Sequence, residues 1–80
     1  MKVNQLAPNQ IVCITNEGTF FQSYNSVIAI RKNDGSIELD ENYWDYSKTT
    51  GKYRNKFLGE DKKETQKKIN SGEYKLVNLN

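Results

Sequence analysis

Histidine is absent from these 80 residues, and cysteine, proline and tryptophan occur once each. Without histidine the chain lacks the side chain that titrates nearest neutral pH and the commonest nitrogen ligand of metals. Ser-His-Asp and Cys-His nucleophile chemistry are thereby excluded, and a classical zinc site has no support. The lone Cys13 can form no intramolecular disulfide and no structural cysteine cluster, so it reads as a small apolar side chain in a strand. No segment approaches the roughly 20 apolar residues of a membrane span. The opening stretch from Met1 to Thr15 also lacks the extended apolar core of a secretory signal, so cytoplasmic exposure with no membrane partner is the expectation.

What is present suits one small core. A chain of this length buries only roughly 60% of its extended surface on folding. Hydrophobic residues make up 35% of it and charged residues 28%, with five glycines and one proline, which argues against both collagen and composition-driven disorder. One domain spanning residues 1–80 is expected, with residues 1–8 an arm that is either weakly ordered or docked through Val3 and Leu6.

The strand-favouring run from Ile11 to Thr15, the turn at Asn16-Glu17-Gly18 and the run Thr19-Phe20-Phe21 predict a first hairpin. Val27 to Ile30 and Ser36 to Asp40 flank Asn33-Asp34-Gly35, a local turn signal. Ile37 and Leu39 alternate with Glu38 and Asp40, as in a strand with one buried face. A helix should begin near Ser47 to Thr50, turn Thr50, Tyr53, Phe57 and Leu58 toward the sheet, and stop at Gly59. Asp61 and Glu64 have capping-box spacing for a second helix ending near Gly72, and Tyr74 to Leu79 can return as a strand. The fold class read from this order, β-β-β-β-α-α-β, is α+β: a small antiparallel sheet with one or two short packed helices.

Charge is distributed unevenly within a formal net of +2. Eight of the twelve Lys/Arg residues fall between Tyr46 and Ile69 against three acidic ones, which makes this interval the candidate for contact with an acidic or phosphate-bearing partner. Lys48, Lys52 and Lys56 recur every four residues, as do Lys63 and Lys67, so each set lies along one helix face. Tyr46 and Tyr53 beside Lys52, Arg54 and Lys56 would supply an aromatic platform among cations. The partner-binding set is therefore Tyr46, Lys48, Lys52, Tyr53, Arg54, Lys56, Lys63 and Lys67.

The competing account assigns Trp44, Phe57 and Leu58 to the core, and gives Asp45, Ser47, Thr49 or Thr50 the role of helix cap. Tyr24 and Asn25 fit a hairpin end by packing and turn formation, or else meet a partner there. Adjacent Ser47 and Lys48 do not make a nucleophile and base. The acidic groups at Asp34, Glu38 and Asp40, and at Glu60, Asp61 and Glu64, are explained by turns and a helix start. No catalytic residue, cofactor or metal is assigned.

The stretch Trp44-Asp45-Tyr46-Ser47-Lys48-Thr49-Thr50, followed by Phe57-Leu58 and preceded by the run Ser23-Tyr24-Asn25-Ser26-Val27-Ile28-Ala29, resembles a family of small uncharacterised bacteriophage proteins with a WDYSxTT-like segment. The likeness spans about Phe21 to Leu58 and implies a phage accessory protein in the host cytoplasm, without implying a reaction. Joined to the charge pattern, it yields the expectation of a non-enzymatic protein that binds a host or viral macromolecule. The alternatives are a single-stranded nucleic-acid-binding protein, an inhibitor of a bacterial defence nuclease, and a phage structural or assembly factor. A homodimer stays open, because a core this small gains from added burial.

Overall fold

The computed structural model describes residues 2–80. Five strands, β1 (Lys2–Ala7), β2 (Gln10–Thr15), β3 (Gly18–Ser23), β4 (Ser26–Lys32) and β5 (Ile37–Asp40), precede two helices, α1 (Lys48–Leu58) and α2 (Lys62–Ser71), and a last strand, β6 (Tyr74–Val77). They form a six-stranded sheet in the order β1-β2-β3-β4-β5-β6, which makes the protein a small α+β fold. Neighbours from β1 to β5 are antiparallel because short turns join them. The pair β5 and β6 is parallel, since the chain between them passes through both helices before returning.

Residues 2–7, read from sequence as part of an arm, are an edge strand. Lys2 pairs with Ile14 and Gln5 with Ile11. From Lys2 to Leu6 every residue is exposed. Backbone pairing therefore holds this strand, and no alternation of apolar side chains announces it. Cys13, on β2, is free and half-buried.

Register aligns Phe21 with Ala29 and Ala29 with Leu39 across β3, β4 and β5. Ala29, Leu39 and Tyr74 are the buried centre of a cluster that Ile37, Trp44, Phe57, Leu58 and Ile69 pack against. Phe57 of α1 stacks on Phe21 of the sheet with centroids 5.7 Å apart. An apolar side chain of this size stabilises the fold by roughly 1.5–3 kcal/mol when fully buried; Phe57 and Leu58 are half-buried and contribute part of that, beside the buried Thr50, Gly51 and Arg54.

Local chemistry sets the helix ends. Ser47 Oγ accepts the Thr50 N–H at 3.1 Å, and Asp61 Oδ1 accepts that of Glu64 at 2.9 Å. Gly59 and Gly72 end the helices in the left-handed region at φ 72° and 85°. The second helix has little apolar surface and is tied down by polar contacts instead. Glu60 accepts hydrogen bonds from Thr65 Oγ1 (2.6 Å), Lys68 Nζ (2.7 Å) and Tyr74 Oη (2.9 Å), which joins α2 to β6. Asp40, fully buried, accepts the backbone N–H groups of Asn42, Tyr43 and Leu79 at 2.8–3.0 Å, fixing both the exit from β5 and the end of the chain. Among the described residues no helix is long and apolar enough to cross a membrane.

Candidate partner-binding surface

The 3.6-residue period of α1 separates its four cations into two environments. Lys48, Lys52 and Lys56 are exposed, whereas Arg54 is 1% exposed. Arg54 Nη1 donates to Trp44 O (2.7 Å) and Asp45 Oδ1 (3.0 Å), and Nη2 donates to Asn55 Oδ1 (3.0 Å). Its guanidinium lies 5.2 Å from the centre of the Trp44 ring. Arg54 is thus removed from the partner-binding set. Its sequence neighbours are surface lysines, but its place on the helix faces the Trp44-Asp45 turn, where a planar guanidinium can stack and pair together.

Asp45 is the acceptor at this joint and also meets Lys62 Nζ at 2.6 Å. Desolvation raises the Asp45 carboxyl, but hydrogen bonds from Lys62 and Arg54 outweigh it and leave the carboxyl below its ordinary value. Asp45 is therefore a clasp between the two helices. The helix-capping role open to several residues here belongs to Ser47.

The remaining lysines form a surface. Lys48, Lys52 and Lys62 line one depression of about 600 Å³, and Lys62, Lys63 and Lys67 line the next, of about 510 Å³. Lys62 is common to both. It joins the α1 and α2 lysines across the helix-helix turn, and the four-residue spacing that singled out the other lysines does not reach it. Among the described residues, Lys48, Lys52, Lys56 and Lys63 have no carboxylate within 4.0 Å, and Lys67 has only a 3.9 Å contact with Glu64. Tyr53 is half-buried, with Lys52 Nζ 5.4 Å and Lys56 Nζ 5.1 Å from its ring centre. Its ring holds ammonium groups at the surface and is only in part an inward packing residue.

Tyr46 does not join this surface. It is 67% exposed, lies 5.5 Å from Tyr43 ring to ring, and lines a separate cavity of about 610 Å³ with Tyr24, Asn25 and Thr49. The expected aromatic and basic platform is therefore two features: a lysine face carrying Tyr53, and an uncharged cavity carrying Tyr46. Among the described residues no group of three or more histidine, cysteine, aspartate or glutamate side chains is arranged to hold a metal ion.

A family model with the description "Family of unknown function (DUF8033)" matches residues 1–73. No curated protein and no solved structure matches the chain.

Proposed function

The chain belongs to this family of unknown function, and from that premise we propose that it is a non-enzymatic accessory protein, of phage origin as the sequence resemblance implies, that docks an acidic surface of a protein partner. The docking face is formed by Lys48, Lys52, Lys56, Lys63 and Lys67, with Lys62 between the two helices and Tyr53 beneath Lys52 and Lys56.

One contrast carries this reading: the inward cations of the helical layer are matched by carboxylates, whereas of the outward ones only Lys62, on Asp45, and Lys67, at 3.9 Å from Glu64, have a carboxylate in reach. Arg54 has Asp45, and Lys68 has Glu60. Lys48, Lys52, Lys56 and Lys63 are left to solvent without an ion pair among the described residues. Exposed like charges in a row repel one another weakly, and a complementary surface relieves that repulsion while steering encounter. An acidic protein is favoured over an unpaired nucleic acid because the aromatic groups are poorly placed for bases. Tyr53 is half-buried with ammonium groups over its ring, and Tyr46 lies in a different cavity. Single-stranded binding depends on exposed rings that take successive bases.

The test is capture of an identified partner from nuclease-treated lysate of infected cells, comparing the native chain with Lys48→Glu/Lys52→Glu/Lys56→Glu. Arg54 is left intact because its loss would damage the fold. The expected result is a nuclease-resistant protein partner lost on charge reversal, with an unchanged circular dichroism melt. Capture that disappears with nuclease would move the reading to nucleic acid. A partner held equally well by the reversed variant would overturn the lysine face.

A further inference from the structure

We infer that the cavity between the β3-β4 hairpin and the start of α1 is a binding site for a neutral saccharide unit. It adjoins the lysine-lined depression at Ser47, which lines both, but no lysine lines it, and the inference does not depend on that reading.

Two stretches that stand apart in sequence meet here, Ser23 to Ala29 and Trp44 to Thr50. Their joint is the buried hydrogen bond between Ser23 Oγ and Thr50 Oγ1, at 2.9 Å. Part of each stretch is accounted for by the fold. Ile28 is buried, Ser47 caps the helix, Asp45 clasps Arg54, and Trp44 packs on the core. The rest is not used in this way. The side chains of Tyr24, Asn25, Ser26, Tyr46 and Thr49 make no hydrogen bond within the described residues, and all five line the cavity. Tyr24 is 48% exposed and sits at φ 56°, a backbone region that glycine or asparagine enters more readily than tyrosine. About half of this residue is covered by the protein, and the rest is open.

The lining also limits the ligand. The chain has twelve basic and ten acidic residues, yet no charged residue is among those lining the cavity. A phosphate or a carboxylate would find no counter-charge there, and the Ser47 hydroxyl already serves the Thr50 amide. What the cavity offers is tyrosine rings, hydroxyl groups that both donate and accept, and the amide of Asn25. A pyranose matches each: its hydroxyls donate and accept in turn, and its C–H faces lie well against the electron-rich face of an aromatic ring. The space, about 610 Å³ and partly open to solvent, has room for one sugar ring.

The experiment is a titration of the ¹⁵N-labelled full chain with methyl glucoside, methyl mannoside and N-acetylglucosamine, followed through amide shifts. Adenosine and inorganic phosphate serve as comparators. One sugar of the panel is expected to shift Tyr24, Asn25, Tyr46 and Thr49 with Kd of about 1 mM, as befits a ligand with so few heavy atoms. Tyr46→Ala and Tyr24→Gly should each weaken it by about tenfold or more. Tyr46 is largely exposed and Tyr24→Gly relieves the backbone, so both variants are expected to stay folded, with their remaining amide spectra unchanged. Absence of cavity shifts with every sugar at about 10 mM, roughly ten times that Kd, would overturn the site. So would tighter binding of adenosine or phosphate, or sugar shifts that survive both substitutions.

Discussion

Arg54 and Gln10 show how far burial, at the scale of one residue, departs from side-chain type. Arg54 is enclosed with three hydrogen-bond acceptors and an indole ring, although its Nε has no partner. Truncating it leaves Asp45 with Lys62 as its only counter-charge, takes the donor from the Trp44 carbonyl and empties the space beside Trp44. Arg54→Ala should therefore cost about 3 kcal/mol, and Arg54→Met, which refills the volume, distinctly less. Urea denaturation of the two variants checks the order. Gln10 is the opposite case: fully buried at the start of β2, with neither its amide oxygen nor its nitrogen hydrogen-bonded. Leaving such a group unpaired costs about 1–3 kcal/mol. Gln10→Met keeps the shape and removes the polar atoms, so it should raise the melting temperature by several degrees. A lowered melting temperature would show that the amide is satisfied by something the protein recruits.

At the scale of the element, α2 is the part whose hold on the sheet depends on ionisation. Desolvation works against the Glu60 carboxylate, but hydrogen bonds from Lys68, Thr65 and Tyr74 hold its carboxyl below the ordinary value. At Asp40 desolvation is likewise outweighed, here by donors at Leu79, Asn80, Asn42 and Tyr43. Both folded pKa values lie below the unfolded ones. The stability they contribute is thus complete above about pH 5 and is lost as pH falls through about 4 toward the depressed folded values. Thermal melts between neutral pH and about pH 3 should show this loss, and Glu60→Gln should make the acid limb shallower while lowering stability at neutral pH. At the alkaline end the sign reverses. The hydrogen bond to Glu60 raises the Lys68 ammonium, so its contribution is complete below its unfolded pKa and is lost as pH rises through the folded one.

Over the whole molecule, the sheet and helices present two proposed surfaces, an external lysine face and an uncharged cavity, which adjoin at Ser47. Their independence is testable without knowing either partner. Lys52→Glu and Tyr46→Ala each alter an exposed residue and should change stability by no more than about 0.5 kcal/mol, with additive effects in the double variant. Denaturant titration of the single and double variants measures both. A strong coupling would mean that the two regions share packing which the fold as described does not contain.

Much of this organisation was legible in the residues. The strand-turn pattern from Ile11 to Asp40, Ser47 and Asp61 at the helix starts, Gly59 and Gly72 at the ends, and the four-residue lysine spacing all depend on local periodicity, which a sequence displays directly. The edge strand from Lys2 to Ala7 was not legible, because its stabilisation lies in backbone pairing and its side chains stay in water. Nor could spacing separate Arg54 from its lysine neighbours: the acceptors that enclose it come from the Trp44-Asp45 turn, ten and nine residues back, and meet it only when the chain folds. Composition determined one small core, no histidine chemistry and a basic helical segment. The tertiary structure decided which cations are spent inside and which stay at the surface, and it brought Tyr24 and Tyr46 to one cavity, since proximity between distant residues is set by packing and not by their order in the chain.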